Sequence, residues 1–399
     1  MPTQSGIWNL KQVRDGIAGA LYAQQPLIND ITGDIDGAQT TLTISGVAFG
    51  LLQGTVRFTS GATIADVTVT PASDVSMTVN VPQAIYDLAV GSTVGIKFIT
   101  GLGSQSNTFN KTITEFRADF LVVAGGGGAS NGAGGAGGLI AYDSFLIVRS
   151  TNYTVTIGGG GPGGAATKGT NGSNSVFSTF TAIGGGSGGY QSTPLAVGEG
   201  GDGGSGGGEG FGRPAPNDFP AGTGTQPSQP GDSGTFGFGN DGSRGYSDQV
   251  SYTSGGGGGG AGGASPYKGN NNNGGNGGLA KEWPTGSGTY YAGGGGGGTV
   301  SAGTQGLGGG TSVTAQKGGG ANGVGSGTSN SGTENTGGGG GGNNTNTVGG
   351  TGGSGVVIIK YPDTLTLSNP GGGLTSTTAT AGGFKVTTFT SGTGNVSFA

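Results

Sequence analysis

Five short runs between Thr41 and Ile99 alternate apolar and polar residues. They are Thr41-Leu-Thr-Ile-Ser45, Gly54-Thr-Val-Arg-Phe58, Ala65-Asp-Val-Thr-Val69, Ser76-Met-Thr-Val-Asn-Val81 and Thr93-Val-Gly-Ile-Lys-Phe-Ile99. A period of two is what a strand with one buried face requires. Turn residues recur about every 8–12 positions between the runs, the rhythm of a β-sandwich. Upstream the period changes. Leu10, Val13, Ile17 and Leu21 fall at i, i+3, i+7 and i+11, with Trp8 two residues ahead, and predict a helix with one apolar stripe. Gly16 and Gly19 weaken that helix by about 1 kcal/mol each. Its stripe needs a surface to bury against, either the next domain or another subunit.

Beyond residue 118 the pattern changes again. Short apolar runs lead into blocks of glycine. Phe120-Leu-Val-Val-Ala124 enters Gly125–Gly128, Tyr153-Thr-Val-Thr-Ile157 enters Gly158–Gly161, and Ala182-Ile183 enters Gly184–Gly186. Val250-Ser-Tyr-Thr-Ser254 enters Gly255–Gly260, Thr289-Tyr-Tyr-Ala292 enters Gly293–Gly298, and Gly337–Gly342 follow. Glycine accounts for 104 of 399 residues, so this region is either disordered or built on an uncommon architecture. The flanking Val, Ile, Tyr and Phe argue for order, because a flexible linker lacks them. Collagen is excluded, since no Gly-X-Y period persists.

The ordered alternative is a bundle of left-handed three-residue helices. Such a helix has no internal hydrogen bonds, so every N–H and C=O points at a neighbour. Only glycine lets backbones approach on all sides, and Cα–H···O contacts add to the packing. The longest segment between glycine blocks runs from Tyr190 to Ser254 and is rich in Pro, Phe and Tyr. After Pro362, Phe384-Lys-Val-Thr-Thr-Phe389 and Asn395-Val-Ser-Phe398 again alternate as strands.

Composition narrows the chemistry. There is no histidine and no cysteine, which removes the commonest general base, the commonest metal ligand and any disulfide. Charged residues make up 9% and the net charge is −5, with the basic residues scattered, so no phosphate-neutralising stripe exists. No apolar run approaches the ~18 residues of a membrane helix. The N-terminus lacks a basic segment followed by an apolar core, which predicts no secretory signal. Gly132, Gly134 and Gly137 fit the dinucleotide pattern G-x-G-x-x-G, but such a match is almost unavoidable in glycine-rich sequence and no helix follows. No lysine follows a glycine, which excludes a Walker A loop. Glu199, Asp202, Glu209, Asp218 and Asp232 are the one acidic cluster that could hold a cation or cleave a glycan; nothing in their spacing singles out a pair. The chain therefore reads as non-enzymatic, with no cofactor and no metal.

Two resemblances sharpen this reading. "LTISGVAFG", "GTVRF", "VTVNVPQAIYDLAVGSTVGIKFIT" and "SNTF", with the pair Val81-Pro82, resemble the IPT/TIG immunoglobulin-like family over about 80 residues. Members of that family are mostly surface or interaction modules. "DFLVVAGGGGASNGAGGAGGLI", "NYTVTIGGGGPGG", "GTNGSNSVFSTFTAIGGGSGG" and "GGSGVVIIKYP" resemble the glycine-rich domain of tailed-phage virion proteins, and "GGFKVTTFTSGTGNVSFA" is similar to the β tail that often follows it. The lattice also resembles polyglycine tip adhesins of long tail fibres.

The expected fold class is mainly β. Residues 1–26 form a helical anchor, 27–117 an Ig-like sandwich, 118–362 a domain of packed polyglycine II helices with short strands, and 363–399 a C-terminal β tail. The resemblance implies a virion-surface protein made in a host cytoplasm: a tail-fibre or receptor-binding adhesin, or alternatively a capsid decoration or fibre protein with an assembly role. It implies other virion proteins as partners through the N-terminal region, a host-surface protein or glycan as partner elsewhere, no nucleic acid, no membrane insertion, and a homo-oligomer, a trimer among the arrangements allowed. Aromatic and arginine side chains dominate many contact surfaces. The candidate contacts are Phe211, Arg213, Phe219, Arg244, Tyr246, Tyr267 and Trp283, with Trp283 and Tyr267 expected to be exposed, and the anchoring stripe is Trp8, Leu10, Val13, Ile17 and Leu21.

Overall fold

The computed structural model describes residues 25–35, 41–86, 88, 91–149, 151–191, 198–211, 220–226, 237–247, 253–266, 273–299, 303–344 and 347–399. The chain is mainly β, as expected, with 36% of the described residues in strands and 3% in helices. The expected N-terminal helix, with Trp8, Leu10, Val13, Ile17 and Leu21, lies outside the described residues. Two compact units divide the chain. The first comprises Met1–Phe116 with Leu146–Thr151, the second Arg117–Phe145 with Asn152–Ala399.

The first unit holds seven strands: β1 (Leu27–Thr32), β2 (Thr41–Val47), β3 (Gly54–Ser60), β4 (Thr63–Val69), β5 (Ser76–Asn80), β6 (Thr93–Ile99) and β7 (Phe109–Thr112). One sheet has the order β1-β2-β5 and the other β4-β3-β6-β7. Each of the five runs predicted from alternation is a strand. Their inward residues meet in one core: Ile28, Leu42, Ile44, Met77 and Val79 from the first sheet pack with Val56, Phe58, Val94, Ile96 and Phe98 from the second. Phe49 meets Phe98 edge-on, with ring centroids 5.5 Å apart. Each large side chain buried there contributes about 1.5–3 kcal/mol. This is a two-sheet sandwich.

In the second unit, β8 (Phe116–Val123) and β18 (Val356–Pro362) are central strands of a ten-stranded sheet. Around them lie β9 (Leu139–Ile147), β10 (Tyr153–Thr156), β11 (Ser175–Phe177), β12 (Phe180–Ala182), β13 (Gly237–Phe238), β19 (Leu367–Ser368), β20 (Leu374–Ala381) and β21 (Phe384–Phe398). Two small hairpins pair β14 (Tyr246–Ser247) with β15 (Thr253–Ser254), and β16 (Lys281–Glu282) with β17 (Tyr290–Tyr291). Register sorts the central side chains onto two faces. Val356 opposite Val123 and Ile358 opposite Leu121 point into a core with Leu139, Ala136 and Trp283. Ile359 opposite Phe120 belongs to the other face, where Phe120 lies 4.8 Å from Phe177 and 5.5 Å from Phe145 between ring centroids. Both faces are covered, so these strands read as continuous apolar runs rather than alternating ones.

Residues 363–399, expected as a C-terminal β tail, form β19, β20 and β21. β21 pairs with β18 on one edge and β20 on the other, and farther along with β10 and β19. The C-terminal strand is thus part of the second unit's central sheet, where its apolar face finds cover that an isolated tail would lack.

The glycine runs begin where the strands end. Their hydrogen bonds have a period of three. Ala124, Gly127 and Ser130 donate to the carbonyls of Gly138, Gly135 and Gly132 at 3.0, 2.8 and 2.9 Å. Gly125 and Gly128 donate to Ser173 and Thr170 at 3.0 and 2.9 Å, and Gly126 and Ala129 to Gly353 and Gly350 at 2.9 and 2.8 Å. The carbonyls of the same run face three further segments. Gly185 and Gly188 bond those of Gly125 and Gly128, Gly161 and Gly164 those of Gly126 and Ala129, and Gly340 and Asn343 those of Gly127 and Ser130. Every third residue addresses the same neighbour, which defines a three-residue helix, and six neighbours surround one run as in hexagonal packing. Run 132–138 repeats the arrangement, donating to Gly189, Gly186 and Ile183 with one ridge, to Gly256 and Gly259 with the second, and to Gly340 and Gly337 with the third. Residues 121–140 are all buried.

The lattice ends in two ways. Asparagine amides replace peptide carbonyls at the same step of three: Asn174 and Asn171 Oδ1 accept from Gly184 and Ser187 N–H at 2.9 Å each, and Asn273 and Asn276 Oδ1 accept from Thr304 and Leu307 N–H at 3.1 and 2.9 Å. Pro162 occupies an exposed position on run 158–164, where its missing N–H leaves no bond unmade.

The close approach yields a paired test. A Cβ at Gly134 would collide with the Gly127 carbonyl, whereas one at Gly159 meets nothing within 4 Å. Gly134→Val is expected to cost more than about 3 kcal/mol, through several backbone bonds forced apart. Gly159→Ala is expected to be neutral or to stabilise by up to about 1 kcal/mol, by restricting the unfolded chain. Thermal unfolding with limited proteolysis of both variants checks the contrast; equal effects would refute the lattice account.

Candidate functional site

At one margin of the lattice three segments enclose an open groove of about 430 Å³. Residues 220–223 form one wall, residues 241–244 another, and Ser265 closes the third side. The walls are held by the hydrogen-bond period described above. Gly200 and Gly203 N–H donate to the Pro220 and Thr223 carbonyls, and Gly206 and Glu209 N–H to those of Asn240 and Ser243. Side chains complete the frame. Asp202 Oδ1 accepts from both Thr223 N–H and Thr223 Oγ1–H at 2.7 Å, and Asp241 Oδ1 accepts from Gly224 N–H at 2.7 Å. Ser265 Oγ donates to the Asn276 carbonyl at 2.6 Å and lies 2.8 Å from Ser243 Oγ, which accepts from Gly257 N–H at 3.0 Å.

Glu209 is fully buried beneath this margin, and its Oε2 accepts from Gly245 N–H at 2.9 Å. That bond ties the lattice to the segment bearing Arg244 and Tyr246. Arg244 is exposed beside the groove, and Tyr246 is half-buried where β14 pairs with β15. The electrostatics of the groove are mixed. The bonds from Thr223, and secondarily the charge of Lys168, hold the Asp202 carboxyl below its ordinary value. Burial pushes the Lys168 ammonium down, against the opposing pull of Glu199 and Asp202. The groove can therefore offer the Arg244 guanidinium, the Thr223, Ser243 and Ser265 hydroxyls and the Asp241 carboxylate, a set suited to polar recognition.

The remaining sequence candidates separate. Phe211 and Trp283 are buried, with 4% and 8% of their surface exposed, so the expectation that Trp283 stands exposed is corrected. Trp283 packs against Leu121, Leu139 and Ile358 instead. Its neighbours Lys281 and Glu282 are polar, which misled the reading, but they form a short strand whose pairing with Tyr290 and Tyr291 turns the indole inward. Arg213, Phe219 and Tyr267 lie outside the described residues, as do Asp218 and Asp232. The Glu209 bond was missed by sequence reasoning; a lone carboxylate within a glycine run was its one signal. No group of three or more acidic, His or Cys side chains suited to a metal ion occurs among the described residues. The N–H groups of Gly132, Gly134 and Gly137 are taken up by Gly189, Gly340 and Gly337, so the G-x-G-x-x-G match is part of the lattice.

The family model of a glycine-rich domain matches residues 103–362. The chain belongs to this glycine-rich domain family. The match begins ahead of β7 in the first unit, ends with β18, and takes in every lattice run described above, the groove included. No curated protein and no solved structure matches the chain.

The Asp202 bonds give a pH-dependent test for this glycine-rich domain. A carboxyl depressed in the folded state contributes stability above its unfolded value, near 4, and loses it as pH falls through the folded one. Asp202→Asn is expected to lower stability at pH 7 by no more than about 1 kcal/mol, because the group is largely exposed. The gap between wild type and variant, measured by denaturant titration, should close as pH falls below about 4. A gap that persists unchanged into stronger acid would assign the effect to packing.

Proposed function

We propose that this chain is a structural protein of a phage virion surface, a tail-fibre or receptor-binding adhesin whose glycine lattice presents loops to a host surface. The observation that carries this reading is the construction of the lattice. A bundle cross-linked through six neighbours per run is stiff in every direction and exposes mostly backbone, so recognition falls to the segments between runs. Arg244 and Tyr246 lie on such a segment, clamped by Glu209, and Arg244 borders an open polar groove. Preorganised contacts of that kind bind without a large ordering cost. A host-surface protein or glycan is the partner this chemistry suits.

The first unit would serve attachment to other virion proteins, together with residues 1–26. Its strand order supports an Ig-like reading: the first, second and fifth strands share one sheet, and the fourth, third, sixth and seventh the other.

Exchanging Arg244 and Tyr246 for serine together is expected to lower adsorption to host cells at least about tenfold, the loss of roughly 1.4 kcal/mol of contact. Particle yield and morphology should not change. Normal adsorption by particles that retain the substituted protein, with damage appearing in particle stability, would replace the adhesin reading with that of a decoration protein.

A further inference from the structure

The sheets of this protein guard most of their edges. β12, β13 and β19 are two or three residues long. β7 carries Lys111, β4 carries Asp66 paired to Arg57 across the sheet, and β1 carries Asp30 beside a bulge. Shortness, charge and bulges are the usual devices against edge-to-edge pairing. β20 has little of this protection. It runs eight residues, Leu-Thr-Ser-Thr-Thr-Ala-Thr-Ala, with no charge and no proline, and its one irregularity sits at the Thr375/Ser376 end. Every residue from Thr375 to Ala381 is exposed, and β21 is its one strand partner among the described residues. Threonine is β-branched and favours strands, so the edge is well formed yet open.

The hairpin turn shows which groups of β20 are free. Gly382 and Gly383 form a two-residue turn with φ of 60° and 81°, and Ala381 stands opposite Phe384. In such a turn the flanking pair is hydrogen-bonded, and the bonded pairs then alternate. Ala381, Ala379 and Thr377 therefore direct their N–H and C=O to β21. Ser376, Thr378 and Thr380 direct theirs outward.

We propose that this outer edge pairs, antiparallel, with β20 of a second copy of the chain. The occupant follows from self-complementarity. Outward groups must face outward groups, and centring the pair on Thr378 satisfies all of them: Thr378 opposes its own copy and Ser376 opposes Thr380. The side-chain pairs are then Ser with Thr, Thr with Thr and Thr with Ala, with no like charges opposed and hydroxyls able to bond across the strands. The area such a pair buries is below that of a standard stable interface, so the free chain is expected to self-associate weakly, with a dissociation constant of about 10–100 µM. It supplies a specific surface for copy-to-copy contact, separate from the groove and independent of what the groove binds.

The absence of cysteine makes the test direct, because Thr378→Cys introduces one thiol in the full chain. Directly opposed bonded residues have Cα atoms about 5.5 Å apart, within disulfide reach, whereas Thr380 and its own copy would be four residues out of register. Under mild oxidation T378C is expected to form a linked dimer at least about tenfold faster than T380C. Chains carrying S376C mixed with chains carrying T380C should cross-link to each other, while neither does so alone. Thr378→Pro removes an outward N–H and leaves the backbone bonds to β21 in place, while losing the 2.8 Å contact between the Thr378 and Thr387 hydroxyls; its melting temperature should therefore match that of Thr378→Val, while sedimentation equilibrium shows self-association lost in the proline variant alone. The proposal is overturned if the wild-type chain sediments as a monomer up to about 100 µM. It is equally overturned if T378C and T380C cross-link at the same rate. Should T378P fail to fold, Thr378→Lys, which opposes two charges across the pair, gives the same reading; association that survives it refutes the edge contact.

Discussion

A peptide group in a three-residue helix cannot bond within its own helix, and the second unit is organised around that fact. Each N–H and C=O of a glycine run must find a partner on another run, and each run has three ridges, so each run needs neighbours on all sides. One run alone is unstable; many together form a lattice in which the bonds are mutually conditional. The glycine content follows from the spacing. A Cβ at an inward position would strike the facing carbonyl, as at Gly134 and Gly295. Alanine is admitted at Ala133 and Ala136, which stand three apart on one side of their run, and Ala136 joins the apolar core with Leu121, Leu139 and Trp283. The central sheet supplies the starting points. β8, β10 and β12 set the direction and spacing from which the runs at 124, 158 and 183 continue.

This accounts for what could be read in the sequence. Alternation identified the strands from Thr41 to Ile99 because one face of each is buried and the other wet. The glycine blocks could be assigned to packed three-residue helices because no other ordered state uses such composition. β1 escaped because Leu27, Ile28 and Ile31 break strict alternation around a bulge. The place of β21 escaped because its partner β18 precedes it in a segment that reads as the end of the glycine array. Burial of Trp283 could not be seen, since polar neighbours in a short hairpin look the same whether its aromatic residue points inward or outward, and Phe211, flanked by glycines, gave no pattern at all. The groove was equally hidden: its walls come from residues 220–223, 241–244 and 265, brought together by the period-three bonds and not by proximity along the chain.

The asparagines deserve separate comment for what they reveal about boundaries. A regular sheet ends at a strand with unpaired backbone groups. This lattice ends where Asn171, Asn174, Asn273 and Asn276 offer side-chain amides in place of peptides, at the lattice's own step. The same logic places Pro162 on an outer ridge. Lattice margins thus become surfaces that need no further polyglycine run, and side chains there are free to take on other roles, as around Arg244.

The lattice also fixes the thermal character of the protein. Unfolding an ordinary core exposes apolar surface and raises the heat capacity by about 0.45 cal/K/mol per Å², while exposing polar surface lowers it by about 0.26. Opening the glycine runs wets mainly peptide groups, so this part of the chain adds little to ΔCp and can offset part of the sandwich's share. A small ΔCp flattens the dependence of stability on temperature. A domain built this way keeps nearly the same stability from cold to warm water, a property that a larger apolar core would not confer.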